Sequence, residues 1–395
     1  MPRTSLPPEA VRAATARLSP MDDTAEYLSP VGRQPVHTCY VPADRVDSGV
    51  VGLWGGQALE ALSDYRDLLP PVPEGVLERV REKLDWEPIE DLRIDFEDGY
   101  GTRGDDVEDR DAERTARVVA EWVREGVAPF SFGLRMKSFD TKALRERGIR
   151  TLDIFLTTLG EVPPGFVITF PKVTSVEQVE VFGEILDLFG RELRFEIQVE
   201  TTRSIVDVTG RLAIPSFIAA GRGRVTGLHF GTYDYTAGCG LVAAQQHLAH
   251  GACDFARHVM QVCAAGTGVR LSDGSTNVLP VGENRAHGWD THYRLVRRSL
   301  EHGFFQGWDL HPAQLITRYA AVYAFYREGL VADARRLRAY VEKADSGVLD
   351  EPATAQALSS SMLRALDCGA VEVEEVRGLT GISLSRIEQL ARRSD

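Results

Sequence analysis

Residues 194–240 read RFEIQVETTRSIVDVTGRLAIPSFIAAGRGRVTGLHFGTYDYTAGCG, and two short apolar runs inside them decide the fold. Residues 195–199 end on Glu200; residues 225–230 end on Gly231, with Asp234 just beyond. Both runs have the length and composition of buried strands. Each sets a carboxylate at its C-terminal end, which in a parallel barrel is the end that carries chemistry. Singly, a Glu or Asp after a strand reads as a helix cap or a solvated loop residue. Charged groups recur at other strand ends of this chain, and that repetition favours a site. Two carboxylates from neighbouring strand ends, with room for water and substrate oxygens, suit Mg²⁺.

Upstream, residues 166–170 form a strand that runs into Pro171-Lys172. Lys172 reads either as a Schiff-base nucleophile or, preferably, as a cation balancing nearby acids. Residues 130–136 (FSFGLRM) place Arg135 near a strand end. Its fork suits a carboxylate or an enolate oxygen; the plainer alternative is a surface salt bridge. Residues 91–96 (DLRIDF) lead into Glu97-Asp98-Gly99-Tyr100-Gly101. Strand alternation puts Asp95 and Glu97 on one face, and burying such a pair without a cation or hydrogen bonds is costly. Glu97 and Asp98 are therefore candidate site residues, whereas residues 105–111 read as a solvated acidic turn before a helix over 112–125. Residues 37–42 (HTCYVP) are the first strand.

Downstream, residues 277–281 (NVLPV) are the expected seventh strand and residues 304–310 the eighth, leaving through His311-Pro312. His311 reads as a supporting residue rather than as a base. Helical spacing separates most of these strands, with a break expected at Gly148 in the helix over 141–159. Eight strand candidates alternating with helices predict an α/β fold, a TIM (β/α)₈ barrel with an N-terminal extension and a C-terminal helical segment. The expected division is residues 1–36 as extension, 37–330 as catalytic barrel and 331–395 as a helical cap or lid. The extension reads as a short helix behind Pro7 and Pro8, then a polar loop with Pro20, Pro30 and Pro35.

The bulk properties bound the function. The 395 residues carry a formal charge of −13, which argues against a nucleic-acid partner. No run approaches a membrane span and no signal pattern opens the chain. The five cysteines form no CxxC pair, which suggests reduced thiols, a cytoplasmic location and no zinc site.

Seven landmarks in order, YVPADR, DFEDGYG, LRM, FPKV, QVETTRSI, FGTYDYTAGCG and GFFQGWDLHPAQ, make the chain resemble the HpcH/HpaI aldolase and citrate lyase beta-subunit family. The resemblance implies Mg²⁺-dependent chemistry that makes or breaks a carbon–carbon bond beside an enolate. It implies metal ligation by Glu200 and Asp234, and a substrate carboxylate or enolate oxygen on Arg135. It further implies backbone N–H donors at Gly231 and Thr232, an acidic pair at Glu97 and Asp98, and Lys172 close to the acids. The implied partners are a small carboxylate, with a coenzyme A thioester among the options, and further copies of the chain as a trimer or hexamer. Three departures mark a divergent member. His37 stands where an arginine tied to coenzyme A is usual, Lys137 where an asparagine commonly follows the arginine, and Tyr233 before the metal aspartate. A phosphoenolpyruvate-using phosphotransfer enzyme and a non-catalytic barrel subunit are the alternative readings.

Overall fold

The computed structural model describes residues 7–16, 32–343 and 351–392. Eight parallel strands form one sheet in the order β7-β6-β5-β4-β3-β2-β1-β8. They are β1 His37–Pro42, β2 Asp91–Asp95, β3 Ser131–Arg135, β4 Phe166–Phe170, β5 Phe195–Val199, β6 Val225–Phe230, β7 Arg270–Ser272 and β8 Gly307–Asp309. At the seam Asp273 N–H donates to the Gln306 carbonyl at 2.8 Å and Trp308 N–H to the Gly274 carbonyl at 3.3 Å. The ring therefore closes as a TIM barrel.

Helix α1 is Pro8–Thr15, and most of the expected N-terminal loop lies outside the described residues. Helices α2 Val50–Asp64 and α3 Val76–Trp86 follow β1, while α4 Asp105–Glu125, α5 Lys142–Leu159 and α6 Val176–Leu188 follow β2, β3 and β4. After β5 come α7 Thr202–Ile205 and α8 Ile214–Ala220; after β6, α9 Thr232–Gly238 and α10 Gly251–Ala264; after β7, α11 Arg285–Glu301. The chain ends in α12 Pro312–Glu342, α13 Pro352–Asp367, α14 Val373–Thr380 and α15 Leu384–Arg392. No helix among the described residues is long and apolar enough to cross a membrane.

Alternation along the strands sorts the core. Leu92 and Ile94 of β2, Ile197 and Val199 of β5 and Leu228 and Phe230 of β6 are buried in the hydrophobic core. The other face is polar. Arg93 of β2 reaches Thr169 of β4 and Glu196 of β5, a span only the barrel interior allows. Most barrels fill that space with branched aliphatic side chains.

Three features differ from the sequence-based expectation. The seventh strand is Arg270–Ser272, not residues 277–281. Pro280 has no N–H to give a ladder, and the true strand is three residues long and half-buried, too short for a visible pattern. Residues 105–111 are not a solvated turn but the start of α4. Their acids sit at the positive end of the helix dipole, and Glu108 is wholly buried, with Lys137 at 3.1 Å and Arg147 at 3.4 Å. Gly148 does not break α5. A Cβ there would lie 2.8 Å from the Lys137 carbonyl, so the glycine admits close packing of the helix on the segment that leaves β3.

Helix α12 has 31 residues, about 46 Å at 1.5 Å per residue, and so overruns the barrel at the N-terminal ends of the strands. The last three helices pack there and on the adjoining flank. Tyr323 Oη donates to the Cys368 carbonyl (2.9 Å), Arg327 pairs with Glu375 (3.1 Å), and the Arg364 guanidinium lies 4.0 Å over the Phe305 ring, just before β8. These contacts seat the helices at the end of the barrel remote from Glu200 and Asp234.

Candidate active site

Asp95, the last residue of β2, organises the mouth of the barrel. Its carboxylate accepts Arg135 Nε at 2.6 Å and Nη2 at 2.7 Å, a bidentate pair. The same oxygens accept the backbone N–H groups of Glu97 (2.9 Å) and Gly99 (2.8 Å), which folds the E-D-G turn around them. A Cβ on Gly99 would come within 2.5 Å of Asp95 Oδ2, so glycine is required there. Arg135 Nη1 stands 3.5 Å from Glu97 Oε2, and its guanidinium lies 4.7 Å from the centre of the Tyr40 ring. Burial works against the charged guanidinium, but Asp95 and then Glu97 hold its pKa well above the usual value.

Lys172 follows β4 with φ of 51°, a left-handed conformation uncommon for a non-glycine residue. That turn gives it two contacts. Its backbone N–H donates to Glu200 Oε1 at 2.8 Å. Its Nζ donates to Glu97 Oε1 at 2.5 Å and Asp98 Oδ1 at 2.8 Å, and lies 3.5 Å from Asp234 Oδ2. Burial would lower the lysine pKa, but Glu97 and Asp98 raise it above the ordinary value. Lys172 is thus an ammonium counter-ion to the acids, and a Schiff-base role would need it neutral.

The carboxylates differ in environment. Burial raises Glu97, against the pull of Arg135. Burial also works on Asp98, but Lys172 holds it below the usual carboxylate range. Glu200 is 3% exposed. Burial, then the charges of Glu97 and Asp234, outweigh Arg135 and Lys172 and push its carboxyl up to about 8. A buried carboxyl that favours its neutral form beside two further acids is short of positive charge. The donor set is hard oxygen from Glu200 and Asp234, with Glu97 and Asp98 alongside, and it fits a divalent cation such as Mg²⁺.

Gly231 has a different part from the one the resemblance implies. Its N–H donates to the Val199 carbonyl at 3.0 Å, so it is not free for a substrate carboxylate. What the position requires is the missing side chain, because a Cβ would overlap the Glu200 side chain and lie 2.5 Å from its Oε2. Gly231→Ala is expected to cost about 1–3 kcal/mol from overpacking and to weaken Mg²⁺ binding by displacing Glu200. Thermal unfolding with and without Mg²⁺ reads both effects; an unchanged metal response would place the cation elsewhere. Thr232 opens α9 with its hydroxyl buried and unpartnered among the described residues.

His311 lies apart from this cluster. It caps α12, its Nδ1 accepting the Ala313 N–H at 3.1 Å, and burial lowers its pKa. A second buried group, His37, Cys39 and Asp309, has metal-ligand chemistry, but the donor atoms of His37 and Asp309 are engaged. His37 Nε2 accepts the Glu90 N–H (3.1 Å), its Nδ1 meets Asp309 Oδ2 (2.9 Å), and Asp309 also holds His292 and Arg318. His37 is therefore a core residue tying β1 to β8. Lys137, likewise, is spent on the Phe96 and Gly101 carbonyls and on Glu108.

Sequence reasoning left out several groups that the structure brings inward. Asp95 is one; its position on the face of Glu97 was visible, but its partner was not. Tyr40 Oη, Trp308 Nε1 and both amide atoms of Gln198 are buried and have no hydrogen-bond partner among the described residues. Such groups are rare in native interiors and call for a reason. Gln198 shares the inward face of Glu196 and Glu200, which E-I-Q-V-E displays; Tyr40 and Trp308 carry no such sign.

Comparison with solved structures shows the same fold. The Haloferax volcanii malate synthase, native at 3 mM glyoxylate, aligns with a TM-score of 0.51 at 15% identity over 93% of this chain and 100% of that one. Its magnesium/glyoxylate complex aligns with a TM-score of 0.50 at 16% identity over 91% and 98%. A HpcH/HpaI aldolase/citrate lyase family protein from Burkholderia cenocepacia J2315 aligns less well, with a TM-score of 0.40 at 14% identity over 73% and 92%. No curated protein matches the sequence. The family model described as a domain of unknown function, DUF6986, matches residues 24–394, and the chain belongs to that family.

Proposed function

We propose that the chain is a Mg²⁺-dependent carbon–carbon lyase, a divergent relative of the HpcH/HpaI aldolases and citrate lyase beta-subunits, acting through the enolate of a small 2-oxo acid or related carboxylate. The observation that carries this reading is Glu200: a buried carboxyl pushed up to about 8, ringed by Glu97, Asp234, Arg135 and Lys172 at the C-terminal end of the barrel. A malate synthase of the same fold, whose complex holds magnesium and glyoxylate, supports it.

Glu200 and Asp234 would hold the cation, which supplies Lewis-acid polarisation of the substrate oxo group when bound. Arg135, oriented by Asp95, donates to the oxygen on which charge builds, the type of contact worth most when preorganised in a dry site. The Thr232 hydroxyl and the Gln198 amide, unpartnered among the described residues, would hold polar groups of the substrate. In the cleavage direction a base takes a hydroxyl proton, the carbon–carbon bond breaks, and its electron pair becomes the enolate, which then accepts a proton. Glu97, raised by burial, is our candidate for moving that proton. Lys172 keeps Asp98 ionised and the acids in place. The same reading carries a cytoplasmic homo-oligomer, a trimer or hexamer. It favours a free acid over a coenzyme A thioester, because His37 is wholly buried.

The test is calorimetric titration of the metal-free protein with Mg²⁺, with pyruvate, oxaloacetate, glyoxylate or phosphoenolpyruvate present. The expected result is Mg²⁺-dependent binding of a 2-oxo acid, lost in Asp234→Asn. Binding that ignores Mg²⁺, or phosphate release from phosphoenolpyruvate, would overturn this reading.

A further inference from the structure

Lys172 meets both carboxylates proposed for the cation, and does so with two different atoms. Its backbone N–H donates to Glu200 Oε1 at 2.8 Å. Its Nζ stands 3.5 Å from Asp234 Oδ2. Among the described residues it is the one cation within ion-pair distance of Asp234. Arg135, the other cation of the cluster, is held by Asp95 at 2.6 and 2.7 Å.

The two contacts differ in freedom. The backbone contact is fixed, because the left-handed turn at φ 51° aims the N–H at Glu200. The side-chain contact is loose. Nζ has nearer partners in Glu97 Oε1 at 2.5 Å and Asp98 Oδ1 at 2.8 Å, and it hangs on a flexible four-carbon stem. The side chains of Asp98 and Asp234 are 58% and 46% exposed, against 8% for Glu97, so the ammonium reaches Asp234 on the open side of the cluster.

Charge points the same way. Glu97, Asp98 and Asp234 set three carboxylates around one ammonium, which leaves two negative charges. A divalent cation balances that remainder. On Asp234 it would stand beside Nζ, and like charges that close repel strongly.

We propose that Lys172 is a built-in competitor for the metal seat. Without a metal its ammonium occupies Asp234. A divalent cation and the Lys172–Asp234 contact exclude one another, and the lysine retreats onto Glu97 and Asp98 when the cation binds. Its N–H holds Glu200 in both states. The proposal rests on the Mg²⁺ reading above, and it makes Lys172 a positioning residue that acts through Asp234 to set metal affinity.

The test is calorimetric titration of the full chain with Mg²⁺, for the wild type, Lys172→Met and Lys172→Arg. Lys172→Met keeps the backbone N–H and removes the charge. It should bind Mg²⁺ about tenfold more tightly or better, because a neighbouring positive charge is gone. Lys172→Arg keeps the charge and should bind as the wild type does. Were the lysine only an anchor for the acids, Lys172→Met would bind more weakly. Crystals of the Mg²⁺-loaded wild type supply a second arm. In them Nζ should lie beyond about 4 Å, the reach of an ion pair, from both Asp234 oxygens and still beside Glu97 and Asp98. Equal or weaker Mg²⁺ binding by Lys172→Met, or an Asp234 pair that survives metal loading, would overturn the proposal and leave the metal site standing. Failure of all three proteins to bind Mg²⁺ would overturn the metal reading and this proposal with it. If Lys172→Met does not fold, the loaded wild-type crystal still decides.

Discussion

Glu200→Gln is expected to remove Mg²⁺ binding, to lower turnover by about 10²–10³-fold or more, and yet to make the metal-free protein more stable at pH 8. The first two effects follow from losing an anionic ligand and with it the charge that holds the cation. The third follows from the titration of the wild-type residue. Its carboxyl has an ordinary value of 4.5 and rises to about 8 in the folded chain, through burial first and then Glu97 and Asp234. Below pH 4.5 both states are protonated and folding loses nothing. Between pH 4.5 and 8 the unfolded chain releases a proton that the folded chain retains, so stability falls as pH rises. At about 1.4 kcal/mol per pKa unit the loss over this rise is on the order of 4–5 kcal/mol by pH 8. Glutamine has the same shape and no charge, so its stability should be flat over that range. Added Mg²⁺ should restore the wild type and leave the variant unmoved. Urea unfolding at pH 5 and pH 8, with and without Mg²⁺, reads all of this. Parallel pH profiles, or a Mg²⁺ response in the variant, would remove Glu200 from the metal site.

Arg93→Met is expected to destabilise the fold by about 3–5 kcal/mol, the usual cost of leaving a buried charge unpaired. Arg93 is 1% exposed and joins three strands, pairing with Asp91 beside it and with Glu196 across the barrel, and donating to Thr169. Burial by itself would raise the Glu196 carboxyl, but Arg93 and then His229 hold it well below the carboxylate range. In the wild type this contribution is present above the unfolded carboxylate value near 4.5 and fades as pH falls through the lower folded value. Without Arg93 the sign reverses. Glu196 and Asp91 repel each other in a dry interior, and the variant suffers most at neutral and alkaline pH. Arg93→Met combined with Glu196→Gln should recover part of the loss, because the pair is coupled. Urea midpoints at pH 5 and pH 8 for the three proteins measure the cost and the coupling. A loss below about 1 kcal/mol, typical of exposed pairs, would mean that the network is solvated.

Local pattern determined a good deal. The runs at residues 166–170, 195–199 and 225–230 are strands with those bounds, because period-two burial and β-branched or aromatic content are properties of neighbouring residues. The barrel followed from their alternation with helices. So did the location of Glu97, Arg135, Lys172, Glu200 and Asp234 at strand ends, since the end of an apolar run is visible in one dimension. Where the pattern was thin it misled: β7 has only three residues, and the acids of α4 looked solvated until Glu108 met Lys137 and Arg147.

What tertiary structure alone decided are the pairings and the desolvation. Asp95 lies 40 positions from the Arg135 it holds, and Lys172 lies 75 from Glu97; which strands become neighbours is a property of the closed sheet. The same closure spends the Gly231 N–H on Val199 and leaves the glycine to make room for Glu200. It also seats the C-terminal helices at the N-terminal end of the barrel. Above all, a glutamate reads alike in any sequence, but its charge is costly only when water is gone and other acids are near. That condition, which sends Glu200, just past the end of β5, up and Glu196, within it, down, exists only in the folded barrel.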